Sequence, residues 1–158
     1  MIQLLNGDCL ELMQSIPDKS VDMVMCDLPY GTTACKWDAV IPFEPLWAHY
    51  RRLVKDGGAI VLTASQPFTT ALISSNLTMF RYCWVWDKTK GGNFALARKQ
   101  PMKSHEDVCV FYTSQPTYNP EKEIRGAVRK KGGGKPSDNF GVTPTVSHNN
   151  EIGRASCR

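Results

Sequence analysis

Hydrophobic residues occur in short runs along the first two thirds of the chain, separated by segments with helical periodicity. Val21–Cys26 and Ala59–Thr63 are near-continuous apolar runs, the pattern of strands buried on both faces of a sheet. Phe80–Asp87 and Asp107–Thr113 are rich in aromatic and β-branched residues, which favour strands. We therefore predict strands near residues 2–5, 21–27, 59–64, 80–87 and 107–113.

Capping and stop signals predict three helices between these strands. An Asp-x-x-Glu capping box opens the first helix at Asp8. The second helix covers roughly Phe43–Lys55 and is expected to stop at the pair of glycines that follows. Ser65 is expected to cap the third helix, with Pro67 in its first turn.

Alternating strands and helices predict an α/β fold with a largely parallel sheet. The connection between the last two strands contains no clear crossover helix, so these strands should form an antiparallel hairpin at the edge of the sheet. Trp84 and Trp86, in the first strand of that hairpin, are expected in the core. Ligands of such sheets bind outside the carboxyl ends of the strands, so a site is expected just after Asp27, just after Thr63 and around Asp87.

Length and charge indicate one globular domain with a basic extension. The chain has 158 residues, 42% of them hydrophobic, which is enough for one core. We divide it into a core subdomain over residues 1–115, a basic, Gly-rich region over 116–150 and a non-native tail over 151–158. The net charge is −3 over residues 1–80 and +7 over residues 81–158, which indicates a surface that meets a polyanion or a solvated basic tail.

The sequence shows no pattern typical of a membrane, secreted or zinc protein. The longest apolar run, Gly57–Ala64, is too short to span a bilayer, and the amino terminus does not resemble a secretory signal. The six cysteines include no C-x-x-C pair. We therefore expect a cytoplasmic protein with reduced thiols, no metal and no contact with a membrane.

The segment Asp27-Leu28-Pro29-Tyr30-Gly31 ends the second predicted strand. It resembles the (D/N/S)-P-P-(Y/F) motif of the DNA amino-methyltransferases, with Leu28 in place of the first proline. The resemblance covers roughly residues 1–120 and also rests on Asn6-Gly7-Asp8, Ser65-Gln66-Pro67-Phe68, Trp86-Asp87-Lys88 and His105-Glu106-Asp107. Their order is that of the subclass whose catalytic motif precedes its glycine-rich cofactor motif. The resemblance implies an incomplete Rossmann-like methyltransferase sheet, with residues 1–115 as the catalytic subdomain and S-adenosylmethionine as the cofactor.

The chemistry of amino methylation explains the residue types of this motif. An exocyclic amino nitrogen is a poor nucleophile because its lone pair is delocalised into the ring. If Asp27 and a backbone carbonyl near Leu28 accept its two hydrogens, the lone pair can point at the methyl group for in-line transfer. Pro29 fixes the direction of that carbonyl. Tyr30 can stack on a base that has left the double helix, with a plain core aromatic as the alternative for this residue.

The resemblance implies further residues around the cofactor and the base. The cofactor and base pocket is implied to involve Asp8, Asp27, Ser65, Pro67 and Phe68. For Asp8 and Ser65, plain helix capping is the alternative. Lys36-Trp37-Asp38, in the loop after the motif, could cover the pocket, and Trp37 could equally be a packing residue.

The implied partner is double-stranded DNA with a flipped target base. Lys88 lies at the end of a predicted strand, where it can contact a phosphate. The basic region occupies the position of the family's target-recognition region, and its candidate phosphate contacts are Arg125, Arg129, Lys130, Lys131 and Lys135. A solvated tail is the alternative for these five residues. The sequence leaves the recognition sequence and the oligomeric state open.

The family's glycine-rich cofactor loop, similar to D-P-F-x-G-S-G-T, is not found in the 158 residues. Gly132-Gly133-Gly134 does not replace it, because no predicted strand precedes this triplet and no predicted helix follows it. The last residues, Glu151–Arg158, look like a translated sequencing adapter. We therefore expect a truncated gene fragment that has little or no activity.

These observations predict methylation of adenine N6 in DNA, in a restriction-modification or phage system of the bacterial cytoplasm. Asp in the first motif position favours adenine, since Ser is more typical of the cytosine-N4 enzymes of the family. Cytosine-N4 methylation and a catalytically inactive DNA-binding fragment are the alternatives. Methylation of a protein amide through a similar N-P-P-Y motif is disfavoured by Asp27 and by the basic second half.

Overall fold

The computed structural model describes residues 2–120, nearly all of which belong to one compact unit, Met1–Thr117. Its four strands are β1 Val21–Asp27, β2 Val54–Ala64, β3 Phe80–Gly92 and β4 Lys103–Phe111. They form one sheet in the order β1-β2-β4-β3. β1 and β2 are parallel, and β4 lies antiparallel between β2 and β3. The carboxyl ends of β1, β2 and β3 therefore lie at the same edge of the sheet.

Three helices accompany the sheet: α1 Cys9–Leu12, α2 Phe43–Leu53 and α3 Phe68–Ser75. A 3-10 turn continues α1 over Met13–Ser15. α2 connects β1 to β2 and α3 connects β2 to β3, the alternation expected of an α/β fold. None of the helices within residues 2–120 is long and apolar enough to cross a membrane.

The core lies between α2, α3 and one face of the sheet. Alternate residues of β2 and β4 point to this face, because side chains along a strand alternate between the two faces. The buried core residues of these four elements are Leu46, Trp47, Tyr50, Val54, Ile60, Leu62, Ala64, Phe68, Leu72, Cys109 and Phe111. Trp47 connects the two layers, because its ring packs 4.9 Å from the ring of Phe111 and its Nε1–H donates to Ser75 Oγ at 2.8 Å. The fold class predicted from the sequence, an incomplete Rossmann-like sheet with an antiparallel hairpin, is confirmed.

The predicted strands at residues 21–27, 59–64, 80–87 and 107–113 are confirmed, with β2 and β3 longer than expected. The strand predicted near residues 2–5 is wrong. This segment pairs with no strand among the described residues, and Ile2 and Leu4 are 90% and 91% exposed. A short apolar run forms a strand only where a neighbouring strand can receive its hydrogen bonds.

Burial on both faces of β1 is also wrong. Met23 and Met25 point away from the core and are 54% and 68% exposed, because β1 is an edge of the described sheet and no helix within residues 2–120 covers that face. Trp84 and Trp86, which the sequence places in the core, are also exposed, because β3 is the other edge of the described sheet and all of its residues after Phe80 are exposed, on both faces. The apolar run of β1 and the aromatic residues of β3 predict the two strands but not their exposure at the edges of the sheet.

The predicted helix boundaries need two corrections. α2 ends at Leu53 and β2 begins at Val54, so Gly57 and Gly58 lie inside the strand. They form an irregularity in the pairing with β1, where Gly57 has φ +79° and a Cβ on Gly58 would lie 2.7 Å from the Asp22 carbonyl oxygen. α3 has Pro67 at its N-cap position, so Ser65 does not cap it.

Candidate active site

Asp27 is the last residue of β1 and lies directly opposite Thr63 of β2. Because the two strands are parallel, both side chains are at the carboxyl edge of the sheet, where α/β folds bind ligands. Asp27 is exposed and Thr63 is buried. The Asp27 carboxylate is therefore exposed to solvent at this edge, next to the buried side chain of Thr63.

Two hydroxyl groups fix the orientation of the Asp27 carboxylate. The Tyr30 hydroxyl donates to Asp27 Oδ1 at 2.8 Å, and the Thr63 hydroxyl donates to the same oxygen. The Tyr30 and Thr63 oxygens are 3.0 Å apart, so the three groups form a closed triangle. Within residues 2–120, Asp27 Oδ2 has no hydrogen-bond partner, and this oxygen is open to a ligand.

The ring of Tyr30 stacks on Phe68, with ring centroids 5.1 Å apart and an angle of 25° between the planes. Phe43 packs against the same phenylalanine at 5.8 Å. Phe68 is buried, so it supports Tyr30 from below and does not itself face the solvent. Burial, outweighing the opposing effect of the Thr63 hydrogen bond, raises the pKa of Tyr30 above its usual value. The phenol is therefore protonated at neutral pH and donates to Asp27.

Leu28 occupies the position where the family motif has its first proline. Its side chain is buried and belongs to the hydrophobic core. Packing of this side chain anchors the turn that a proline ring would otherwise stiffen. Asp27 and Tyr30 are thus held on either side of a residue that is buried in the core.

The loop after the motif closes on the carboxylate of Asp38. Gly31 N–H donates to Oδ1 at 2.9 Å, and the N–H groups of Thr32 and Thr33 donate to Oδ2 at 2.9 and 2.7 Å. Hydrogen bonds from Thr33 and then from the Gly31 N–H lower the pKa of Asp38 to about 2. Trp37, next to this buried aspartate, is exposed. A role of Trp37 in core packing is therefore excluded for the described unit.

Ser65 and Pro67 connect the end of β2 to α3. The Ser65 hydroxyl accepts a hydrogen bond from Lys103 Nζ at 2.9 Å, which ties it to the start of β4. The Gln66–Pro67 peptide bond is cis. One turn later, the Thr69 hydroxyl donates to Asp107 Oδ2 at 2.7 Å. Ser65 is thus partnered by a cation and is not a helix cap.

Asp8 caps α1 as the sequence predicts: its Oδ1 accepts from the N–H groups of Leu10 and Glu11 at 2.8 and 3.3 Å. The first turn of α1 is close to the end of β1. Burial raises the pKa of Cys26, and the neighbouring Asp27 and Cys9 add smaller contributions in the same direction. Asp8 is exposed, so one of its oxygens is available at this edge.

Lys88, the predicted phosphate contact on β3, is paired within the structure. Its Nζ donates to Glu106 Oε1 at 2.6 Å and lies 5.4 Å from the centroid of the Trp86 ring. The other five predicted DNA contacts, Arg125, Arg129, Lys130, Lys131 and Lys135, lie outside the described residues. No group of three or more His, Cys, Asp or Glu side chains within residues 2–120 could hold a metal ion.

The structure therefore brings Asp27, Tyr30 and Phe68 into one contact set and adds two residues that the sequence reasoning did not place. Thr63 was seen only as the end of a strand, and its contact with Asp27 depends on the register between β1 and β2. Asp38 was seen only as part of a covering loop. A polar residue ending each of two adjacent strands is the signal that could have identified Thr63.

Within residues 2–120 the sheet is mixed: β1 and β2 are parallel, the motif directly follows β1, and β4 is antiparallel to both of its neighbours, so the parallel pairing predicted from the sequence is limited to β1 and β2. The resemblance seen in the sequence is confirmed by a relative and by solved folds. The chain is similar to the type II methyltransferase M1.MboII from Moraxella bovis, at 25% identity over 118 residues, which are 67% of this chain and 44% of that protein. No family model matches the chain.

Two solved structures share the fold. The M1.HpyAVI–SAM complex has a TM-score of 0.59 at 18% identity, covering 80% of this chain and 64% of that one. The cytosine-N4-specific PvuII DNA methyltransferase has a TM-score of 0.54 at 14% identity, covering 70% and 49%. The chain thus spans about half of the length of the proteins it resembles.

Proposed function

We propose that the protein is an S-adenosylmethionine-dependent DNA methyltransferase that acts on the N6 amino group of adenine. The observation that carries this proposal is the Asp27 carboxylate, which has one oxygen engaged by Tyr30 and Thr63 and the other open at the carboxyl edge of the sheet. The similarity to M1.MboII supports the same reaction class.

The residues at this edge fit the proposed cofactor. S-adenosylmethionine would supply a methyl group carried on a positively charged sulfur. Asp8 and Asp27 place two exposed carboxylates near the end of β1, and carboxylates are the groups that attract a cationic ligand. Asp8 would contact the cofactor through the oxygen that does not cap α1. Ser65 and Pro67 would line the neighbouring side of the pocket, with Phe68 acting through Tyr30.

The protein residues would prepare the amino group for attack. Asp27 Oδ2 accepts one amino hydrogen, and a backbone carbonyl of the motif accepts the other, so that the nitrogen lone pair is directed away from the ring. The nitrogen would then form a bond to the methyl carbon as the carbon–sulfur bond breaks, and the electron pair of that bond would remain on sulfur, which loses its positive charge. The nitrogen gives up one proton, for which Asp27 is the nearest acceptor, and the exposed carboxylate releases it to water. Tyr30 would stack on the flipped base while its hydroxyl fixes Asp27.

DNA is the proposed partner, and adenine is the proposed target. The charge of +7 over residues 81–158 supports binding of a polyanion. The aspartate at position 27 favours adenine through the family resemblance. Cytosine N4 is the second candidate, because the cytosine-N4-specific PvuII enzyme has the same fold.

The test is methyl transfer by the protein expressed from its complete gene, with isotope-labelled S-adenosylmethionine and DNA of mixed sequence. After digestion to nucleosides, we expect the label in N6-methyladenine. Label in N4-methylcytosine would select the second candidate. DNA binding without any labelled nucleoside would instead identify a catalytically inactive DNA-binding protein.

A further inference from the structure

We propose that Asp38 is a positioning residue, whose carboxylate holds the loop of residues 31–38 and thereby fixes Tyr30 and Asp27 for the reaction. The expected effect on the reaction rate rests on the proposed methyl transfer, whereas the expected effect on the loop rests on the hydrogen bonds alone. We call residues 31–38 the Asp38 loop.

Backbone donors saturate the Asp38 carboxylate. Three consecutive N–H groups, of Gly31, Thr32 and Thr33, donate to its two oxygens at 2.7–2.9 Å. Asp38 is only 7% exposed and forms no ion pair within the described residues. A buried carboxylate is costly unless it is fully hydrogen-bonded, so the loop and the charge stabilise each other. The Asp38 N–H also donates to the Cys35 carbonyl at 3.0 Å, which closes the turn.

The Asp38 loop is covalently linked to the candidate active site through Tyr30. The Gly31 N–H that Asp38 binds belongs to the peptide bond formed with Tyr30. Gly31 has φ +68°, a conformation that glycine adopts readily, and a Cβ there would lie 2.8 Å from Val40 Cγ2. The peptide after Tyr30 is thus fixed by a hydrogen bond and by close packing, while the buried Leu28 side chain fixes the chain before it.

The position of the Tyr30 hydroxyl depends on the Asp38 loop. Its hydrogen bond to Asp27 Oδ1 is 2.8 Å long and depends on where the Tyr30 backbone lies. A displacement of about 1 Å in a positioned group can cost about 100-fold in rate. Removing the acceptor capacity of Asp38 should therefore loosen the Asp38 loop, displace Tyr30 and slow the chemical step without removing any group that touches the base.

The experiment compares Asp38→Asn with Asp22→Asn. Asparagine nearly preserves the shape of the side chain but replaces one acceptor oxygen with an NH₂ group that faces N–H donors. Asp22 is a matched control, since it is an exposed aspartate at the amino end of β1, paired with Lys55 at 2.7 Å. Amide hydrogen exchange, the NMR shifts of the Tyr30 ring, kcat, and the Kd values for DNA and S-adenosylmethionine are measured for both variants.

We expect Asp38→Asn to lose about tenfold or more of the exchange protection at Gly31, Thr32 and Thr33, with β1 and β2 unchanged. The Tyr30 resonances should shift and kcat should fall about 10- to 100-fold, with both Kd values within about threefold of wild type. Asp22→Asn should change none of these quantities. Unchanged exchange and Tyr30 shifts in Asp38→Asn would overturn the proposal, as would loss of protection throughout the sheet. If wild type expressed from its complete gene transfers no methyl group, the proposed function is overturned, while the exchange and Tyr30 shifts would still decide whether Asp38 positions the motif.

Discussion

At the scale of single residues, the Asp27 carboxylate is oriented before any base arrives. Both hydroxyl partners bind Oδ1, so the free oxygen has a defined direction. Hydrogen bonds to a charged acceptor are stronger than neutral ones, and a group placed in advance requires no reorganisation during the reaction. The raised pKa of Tyr30, caused mainly by burial, keeps this donor protonated over the physiological pH range.

Replacing Asp27 with alanine should abolish turnover and leave DNA binding nearly unchanged. The amino group would lose the acceptor that matters in the transition state, so kcat should fall by at least about 100-fold. Steady-state kinetics and a DNA-binding titration measure the two effects. Asp22→Ala, at the amino end of the same strand, is the control and should behave as wild type. Equal losses of DNA affinity and rate in Asp27→Ala would instead assign Asp27 a structural role.

Replacing Thr63 with valine tests the orientation of the carboxylate separately from its charge. Valine is close to threonine in shape but has no hydroxyl, so Asp27 keeps only the Tyr30 donor. Loss of one hydrogen bond of about 1.4 kcal/mol corresponds to a fall of about tenfold in kcat, with an unchanged KM for DNA. Thr70→Val is a suitable control, because the Thr70 hydroxyl lies on the exposed side of α3 and binds Gln66. A kcat equal to that of wild type would show that Tyr30 alone orients Asp27.

At the scale of elements, the connection from β1 to α2 shows what periodicity can and cannot predict. The strand β1 and the motif at its end follow from the apolar run and from Asp27-Leu28-Pro29-Tyr30. The contact of Asp38 with three backbone groups does not, since it joins residues five to seven positions apart in an irregular loop. Likewise, the Asp27–Thr63 contact requires the register of two strands, which no single strand contains.

The same limit explains the errors in the fold. Ile2–Leu5 has a strand-like composition, but a strand needs a neighbour to pair with, and the described residues provide none. The aromatic residues of β3 predicted the strand correctly, but its residues after Phe80 are exposed on both faces because β3 lies at the edge of the described sheet. The sequence therefore predicts four of the five strands correctly, and it misses the features that depend on neighbouring elements.

Gly31→Ala should destabilise the Asp38 loop by two separable effects. A positive φ costs about 1–2 kcal/mol for a residue with a Cβ, and here the new atom would also lie 2.8 Å from Val40 Cγ2. Gly57→Ala is the matched control, because Gly57 also has a positive φ, +79°, while the nearest atom to its Cβ position is 4.0 Å away. Urea unfolding should give a larger loss of unfolding free energy for Gly31→Ala than for Gly57→Ala. Equal losses would show that the Val40 side chain moves aside without any further loss of unfolding free energy.

The Asp38 carboxylate should also make the stability of this loop depend on pH. Its pKa is about 2 in the folded protein, below the ordinary value of 3.8. A lowered folded pKa stabilises the protein above the ordinary value, and this stabilisation is lost as the pH falls from about 4 to about 2. The melting temperature of wild type should therefore exceed that of Asp38→Asn at pH 5, and the difference should shrink toward pH 2. A difference that is constant over this range would contradict an ionised Asp38.

At the scale of the whole molecule, the described sheet has two unlike faces. One carries α2 and α3 over the core, and the other exposes Met23 and Met25 of β1 together with Trp84 and Trp86 of β3. β1 is also an edge strand within residues 2–120, although it bears the motif. Edge strands with exposed apolar side chains favour association between chains. The part of the proposed site that would hold the base is thus well packed, whereas the sheet beside it has an exposed edge strand and exposed apolar side chains.

The 158-residue chain alone should accordingly bind S-adenosylmethionine weakly or not at all. In such folds the cofactor is approached by backbone N–H groups of a tight Gly-rich turn between a strand and a helix. The 158-residue sequence has no match to the D-P-F-x-G-S-G-T pattern of that turn, and no predicted strand precedes and no predicted helix follows Gly132-Gly133-Gly134. The proposed site therefore has Asp8 and Asp27 for one side of the cofactor, and no glycine-rich motif in the sequence for the methionine side.

Calorimetric titration of the purified chain with the cofactor measures this directly, with Asp27→Ala titrated in parallel. We expect no saturable heat at cofactor concentrations up to about 1 mM, which corresponds to a binding free energy weaker than about −4 kcal/mol. A tight, saturable site that Asp27→Ala weakens would show that the residues described here build the cofactor pocket without a glycine turn. Tight binding that Asp27→Ala leaves unchanged would place the cofactor elsewhere on the chain and would remove the support for assigning it to the edge of β1.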